Sequence, residues 1–319
     1  MSRRAIIVGS TGQDGKLLKH LLSSKQYDVI GVRRPGKVPP LGDADGIPLN
    51  IENPTAVSKL ISDAQPDEVY FLAAHHHSSE ENPGDEVELF RLSTEVHLTA
   101  LVAFLEAIRR KCPRTRLFYA ASSHIFGSVS GYSQDESTPI NPETIYGITK
   151  AAGLFACRRY RNFHGVFVAA GILYNHESPL RNIRFVSKKI VAGVAGIKRG
   201  LLGQIVLGDL DASSDWGYAP DYVDAMHRML QLGSADDFIV ATGESHTVRE
   251  FADAAFTYAG LDYRRFVETD PALVQRRMPR LVGNPSKFVA ASGWRPSVGF
   301  RELVQRLVQH ELDELRRKP

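Results

Sequence analysis

The sequence predicts an α/β fold, a doubly wound parallel sheet joined to a smaller, interleaved C-terminal lobe. Three observations predict it. Apolar runs of strand length alternate with stretches of helical period from the N-terminus onward, the order expected of βαβ units. The first run, Ala5–Val8, passes directly into Gly9-Ser-Thr-Gly12-Gln-Asp-Gly15, a glycine-rich turn that opens a helix. Beyond Tyr174 the alternation loosens, which places the start of a second lobe there.

The elements follow in order. Strand Ala5–Val8 leads to a helix at about 13–25, then to strand Asp28–Val32 and a short strand near Ile47–Ile51. A helix near 54–64, opened by Asn53-Pro54, precedes strand Glu68–Leu72. A long helix near 85–110, strand Arg116–Ala121, a helix over Tyr146–Phe163 and strand Val166–Leu173 complete the regular part. After His176-Glu-Ser-Pro179 come a glycine-interrupted helix at about 184–200 and strand Gln204–Leu207. Helical period over Pro220–Leu232, strand Phe238–Ala241 and helices at about 247–259 and 300–316 close the chain. The last helix, Glu302 to Arg317, is expected to pack its Leu and Val face on the second lobe. Residues 1–174, with a return segment at about 209–241, are assigned to the sheet domain. Residues 175–208 and 242–319 are assigned to the smaller lobe.

Composition narrows the function classes. With 319 residues, 43% hydrophobic and 24% charged, the chain has the balance of a globular protein, not a disordered or fibrous one. A net charge of +3, with Lys and Arg scattered, makes no basic stripe, so nucleic acid is set aside. Cys112 and Cys157 are too few for a disulfide framework, and a reducing compartment is expected. Only four apolar residues precede the first glycine turn, too few for a secretory signal, and no run approaches the roughly 20 apolar residues of a membrane helix. A cytoplasmic protein is expected.

Gly9, Gly12 and Gly15 follow the first strand and open the first helix, where backbone N–H groups and the helix dipole can meet a pyrophosphate. Placed at the start of a βαβ unit, they predict a Rossmann-type dinucleotide site, with Thr11, Gln13 and Asp14 among its contacts. About 20 residues on, where an NAD site carries an acid for the ribose hydroxyls, stands Arg33-Arg34. Two cations there favour the 2′-phosphate of NADP.

Tyr146 and Lys150 lie four apart at the start of a predicted helix and share one face. A nearby ammonium eases ionisation of the phenol, so Tyr146 can trade a proton with a sugar hydroxyl while a hydride moves between its carbon and the nicotinamide. Ser122-Ser123 ends the strand just before, where open α/β sheets place their chemistry, and Ser122 would orient the same hydroxyl.

With these motifs the chain resembles the extended short-chain dehydrogenases and, within them, the GDP-mannose 4,6-dehydratase family. The likeness rests on the glycine loop, Tyr146-Gly-Ile-Thr-Lys150, Gly171-Ile-Leu-Tyr-Asn-His-Glu-Ser-Pro179, Leu207-Gly-Asp-Leu-Asp-Ala212 and Asp215-Trp-Gly217. Asp221-Tyr-Val-Asp-Ala-Met226 and Ala241-Thr-Gly-Glu-Ser-His-Thr-Val-Arg-Glu-Phe251 extend it. The resemblance implies oxidation of the sugar at C4 with NADP, loss of water across C5 and C6, and return of the hydride to C6. It implies cofactor contacts at Leu72, Ala73, Ala74, Tyr146, Lys150, Leu173, Asn175 and His176. Substrate contacts are expected at His76, Ser123, Asn175, Glu177, Lys188, Ser214, Arg276 and Arg277.

The chain departs from the family at stated places. The family's acid/base Glu, two residues after the Ser or Thr, is His124 here. His124 either takes over the C5 proton, or marks a reaction without elimination, a 4-ketone reduction or C4 epimerisation, or fills the pocket wall. The family's Lys-Arg before Asp-Trp-Gly is Ser213-Ser214, and its Arg-Pro-x-Glu stretch is Gln275-Arg276-Arg277-Met278-Pro279, so diphosphate contacts would be remade through Lys188, Arg276 or Arg277. Glu177 is either a pocket acid or a turn partner. His75-His76-His77 cannot all face one ion, and no metal is expected. The arginine loop is shorter than in tetrameric relatives, which predicts a homodimer through the helices near 85–110 and 146–163. A reading from another class is a dinucleotide-binding regulator without activity.

Overall fold

The computed structural model describes residues 2–36, 46–75, 84–129, 133–274 and 280–317. His76, Arg276 and Arg277 lie outside the described residues.

The first half is built as β1 (Arg4–Val8), α1 (Gln13–Ser24), β2 (Asp28–Arg33), β3 (Ile47–Pro48), α2 (Pro54–Ala64) and β4 (Glu68–Phe71). There follow α3 (Glu86–Thr94), α4 (Leu101–Lys111), β5 (Arg116–Ser122), α5 (Ile145–His164) and β6 (Val168–Leu173). Two expectations need correction. The strand near Ile47–Ile51 stops at Pro48, tolerated at this sheet edge, with a last bond from the Leu49 N–H to the Arg33 carbonyl at 3.0 Å. The helix near 85–110 is not uniform, because a π-helical turn, Glu95–Ala100, separates α3 from α4.

The second half contributes β7 (Asn175–Glu177), α6 (Val186–Lys198), β8 (Ile205–Leu207), β9 (Ser213–Ser214), β10 (Trp216–Tyr218), α7 (Ala219–Met229) and β11 (Asp237–Val240). It ends with β12 (His246–Thr247), α8 (Val248–Tyr258), β13 (Val267–Thr269), α9 (Ser286–Ser292) and α10 (Phe300–Arg317). The main sheet has seven strands in the order β11-β6-β5-β4-β1-β2-β3, all paired in parallel. The order reverses at β1, next to β4, which opens a crevice at the carboxyl ends of those strands.

Three apolar clusters hold the chain. On one sheet face, Val57 and Ile61 of α2, Phe104 and Ile108 of α4 and Leu154 of α5 are buried. On the other, Leu18 and Leu22 of α1 meet Met226 of α7, Phe288 of α9 and Trp294. The third cluster is the small lobe, where Ile190, Phe251 and Phe256 pack against Leu303 and Leu307 of α10. A buried side chain of this size contributes on the order of 1.5–3 kcal/mol. Leu210 and Trp216 belong to this third cluster, whereas Phe288 and Trp294 return to the sheet, so the chain crosses between lobes more than once.

Asp215 fastens the lobes at that crossing. Buried between β9 and β10, it accepts the N–H groups of Thr242 and Gly243 at 2.9 and 3.0 Å and the Thr242 hydroxyl at 2.7 Å. Among the described residues, no helix is long and apolar enough to cross a membrane.

Candidate active site

The glycine loop is shaped by close packing. Gly9 has φ +93°, a left-handed conformation that disfavours a side chain, and a Cβ there would stand 3.0 Å from the Ala73 nitrogen. A Cβ on Gly15 would meet the Gly9 oxygen at 2.4 Å, so only glycine lets α1 start this near the turn. Gly12, at the N-cap of α1, brings no side chain to the open N–H groups, which leaves them to an anionic ligand. A cleft of about 580 Å³ lies in front, lined by Gly9, Thr11, Gly12, Gln13, Asp14 and Gly15 and by Leu72, Ala73, Ala74 and His75 after β4. Arg33 and Arg34 line its other end beside Asn50 and Ile51. The uncapped helix, the glycine cradle and the paired cations fit a dinucleotide.

Several expected contacts are tied to one another. Gln13 Nε2 donates to the His176 carbonyl at 3.2 Å, and Ser178 donates its hydroxyl proton to Gln13 Oε1 at 2.8 Å. His176 Nδ1 meets the Tyr174 carbonyl at 2.7 Å and Nε2 meets Asp14 Oδ2 at 3.0 Å, which requires a proton on both nitrogens. Burial works against that imidazolium, but Asp14 outweighs it and the His176 pKa is raised. For Asp14 burial pushes the pKa up, yet His176 brings it below the usual carboxylate value. The ring of His176 also stacks on Tyr222, centroids 4.4 Å apart. The glycine loop is thereby stapled to β7.

The residues expected to react lie together where β5 meets α5. Ser122 ends β5 and its hydroxyl accepts the His124 N–H at 3.3 Å, capping a short 3₁₀ turn over Ser123–Ile125. Thr144 caps α5 by accepting the Gly147 N–H at 3.0 Å. A Cβ on Gly147 would stand 2.4 Å from the His124 oxygen, so α5 begins pressed against that turn. This contact brings Ser122, Ser123, His124 and Tyr146 together. Tyr146 keeps some accessible surface, but burial of its hydroxyl pushes the pKa up to about 12, against the lowering effects of a hydrogen bond with Ser122 and the charge of Arg181.

Lys150 lies near Tyr146 and is anchored by backbone. Its ammonium, fully buried, donates to the Ala120 carbonyl at 2.7 Å and stands 5.7 Å from the centre of the Tyr146 ring. Burial draws its pKa down to about 7. Ser122 and Arg181 favour ionisation of Tyr146, while Lys150, one turn along the helix, donates to the Ala120 carbonyl.

Of the expected substrate contacts, Glu177 is buried and accepts the Ser187 hydroxyl at 2.7 Å while pairing with Arg181 at 3.2 Å. It serves as a partner within the fold. Lys188 donates to the Pro179 carbonyl at 2.8 Å and pairs with Glu311 of α10. Asn175 lies in β7 and Ser214 in β9, opposite His246 of β12. Leu173 is the last residue of β6, beside Ser122 of β5.

Sequence reasoning missed Arg181 and Arg184, which line the cofactor cleft from the small-lobe side. Arg181 lies over the Phe185 ring, 3.6 Å from its centre. The available signal was two arginines in the loop after the His-Glu-Ser-Pro motif. A second cleft of about 790 Å³ lies in the small lobe between Gly208–Asp211, Arg249 and Tyr263. Among the described residues no group of three or more His, Cys, Asp or Glu could hold a metal ion.

A family model described as GDP-mannose 4,6 dehydratase matches residues 6–307. The chain belongs to the GDP-mannose 4,6-dehydratase family. "GDP-mannose 4,6 dehydratase 2" of Arabidopsis thaliana is 38% identical, covering 98% of this chain and 88% of that protein. Among solved structures, Thermus thermophilus UDP-glucose 4-epimerase in complex with NAD is 26% identical with a TM-score of 0.82, covering 97% of this chain and 98% of that one. RMD from Pseudomonas aeruginosa complexed with NADPH, 20% identical over 98% of this chain and 99% of that one, has a TM-score of 0.81 and shares the fold. Family membership places the chain with the extended short-chain dehydrogenases, lyases and epimerases on a Rossmann-type sheet.

Proposed function

We propose that the protein is an NADP-dependent 4,6-dehydratase of a GDP-linked sugar in which His124 takes the acid/base part of the elimination. One observation carries the reading. Ser122, whose side chain lowers the Tyr146 pKa, shares its turn with His124, whose ring stands 5.5 Å from that of Tyr146. On this reading a proton acceptor and a hydroxyl anchor sit in one turn at the carboxyl end of β5.

A nicotinamide cofactor held by the glycine loop, Arg33, Arg34 and Arg181 supplies the hydride acceptor for C4 and the donor for C6. The chain's own residues move protons. Ser122 orients the C4 hydroxyl and Tyr146 exchanges its proton. Tyr146 gives up its phenol proton before it accepts that of the C4 hydroxyl, and the lowering influences of Ser122 and Arg181 favour that phenolate. His124 removes the C5 proton as the C5–C6 double bond forms, the resulting imidazolium protonates the departing C6 hydroxyl so that one water leaves, and as hydride returns to C6 His124 relays a solvent proton to C5.

Incubation with GDP-mannose and NADP in heavy water tests the reading. The expected product has lost one water and carries deuterium at C5. Recovery of every GDP-hexose unchanged overturns it. A second reading, a 4-ketoreductase or C4-epimerase, is favoured by His124 in place of Glu. It predicts NADPH consumption on a 4-keto nucleotide sugar, or isomerisation without loss of mass. Tight NADP binding with no turnover at all would point to the regulator instead.

The reading includes a dimer. Val87 and Phe90 of α3 and Ile148 and Phe155 of α5 are exposed on two adjoining helices, and a second copy would cover them. Phe155→Glu should then give monomers in sedimentation experiments.

A further inference from the structure

A histidine that the proposed reaction leaves unused is built into the wall of the site. His97 lies in the π-helical turn between α3 and α4 and is fully buried. Such turns cost regular hydrogen bonding and concentrate at functional sites. Its ring bridges two elements of the active site. Nε2 accepts the backbone N–H of His75 at 2.9 Å, and Nδ1 meets Thr149 Oγ1 at 2.8 Å.

These bonds fix the tautomer. Because Nε2 accepts from a backbone N–H, the ring proton resides on Nδ1 and is donated to Thr149. Thr149 passes its own proton to the Ile145 carbonyl at 2.9 Å, one turn back along α5. His75 belongs to the segment after β4 that lines the cofactor cleft, and Thr149 adjoins Lys150. The His97 ring also stands edge-on to Tyr146, centroids 5.3 Å apart and planes crossed at 88°. Backbone packing leaves the turn no room to relax, since a Cβ on Gly153 of α5 would stand 2.7 Å from the His97 oxygen.

We infer that His97 is a positioning residue that holds the Tyr146 ring and the cofactor-lining segment at His75 in one register. The inference rests on Tyr146 being the group that exchanges a proton with the sugar. One bond of His97 points to the cofactor side and the other to the catalytic helix, so the two functions can be separated by substitution.

His97→Gln can place Oε1 near the Nε2 position and keep the acceptor for His75, while His97→Asn can keep the donor to Thr149. The expected result is a division. His97→Gln binds NADPH like the wild type but loses kcat by about 10- to 100-fold, as misplacement of a reacting group does. His97→Asn keeps most of kcat at saturating cofactor and binds NADPH about tenfold more weakly, the scale of about 1.4 kcal/mol. His97→Ala shows both losses, with the sugar KM little changed and the pH profile of kcat shifted. If the three variants lose activity only in step with thermal stability, with NADPH affinity and the pH profile unmoved, His97 is a core residue and the inference falls. Should His97→Ala fail to fold, the two amide variants decide by the same readouts. NADPH affinity and the phenolate titration of Tyr146, taken as a difference from Tyr146→Phe, need no turnover. They decide on His97 even if no nucleotide sugar is consumed, an outcome that would overturn the assigned reaction alone.

Discussion

The rings of His124 and Tyr146 stand 5.5 Å apart, centroid to centroid, with their planes crossed at 81°. That contact holds the His124 imidazole against the phenol. If His124 exchanges the C5 proton, His124→Ala should lower kcat by about 10²- to 10⁴-fold with little change in KM. His124→Glu should retain part of the activity, because a carboxylate can take the same proton. Steady-state kinetics on both variants would check this, and full activity in His124→Ala would make the histidine a wall residue.

Lys150 should cost stability where it is charged. Its pKa falls from 10.5 to about 7 on folding, so the unfolded chain binds the proton more tightly and stability rises as pH climbs from about 7 toward 10.5. Lys150→Met should abolish turnover yet raise the melting temperature at neutral pH, by the equivalent of roughly 1–3 kcal/mol. The gap should close toward pH 10. Melting curves across that range would show it, and a gap independent of pH would contradict the assignment.

The Asp14–His176 pair should show the opposite sign at low pH. The raised His176 pKa contributes stability that is present below the ordinary imidazole value and fades as pH rises through the folded one. The lowered Asp14 pKa contributes stability that is lost as pH falls through its folded value. Asp14→Asn should therefore cost about 1 kcal/mol near pH 5–6 and less once the pH has risen through the folded His176 value. Chemical denaturation on either side of that value measures the difference.

Arg34 is exposed at the end of the cleft, while Arg33 Nε donates to the Gly46 carbonyl at 3.1 Å. Arg34 is the freer of the two to meet a 2′-phosphate. Arg34→Ala should weaken NADPH about 10- to 100-fold and leave NADH nearly unchanged. Binding titrations with both cofactors would settle the preference, and equal losses would point to a pyrophosphate contact.

Much of this architecture was legible before folding was considered. The period of the apolar residues and the glycine turn after Ala5–Val8 are local signals, so they foretell the parallel sheet, the open N-terminus of α1 and the joint placement of Tyr146 and Lys150 on α5. The π turn at Glu95–Ala100 was not legible, because no residue in it breaks helical period. It forms where His97 finds His75 and Thr149, partners far away in sequence. Arg181 and Arg184 were missed for a similar reason, since only the fold of the small lobe turns that loop toward the cofactor cleft.

The sequence by itself determined the element order, the glycine cradle and the residue types at the ends of β5 and α5. Tertiary structure alone decided how those groups are charged and occupied. Burial and neighbouring groups set how Lys150 is held at the Ala120 carbonyl, whether Glu177 is an open acid or the partner of Ser187 and Arg181, and whether Asp14 is free or bound to His176. Desolvation and partner geometry act over a few ångströms between residues remote in the chain, and spacing along the sequence carries no record of them.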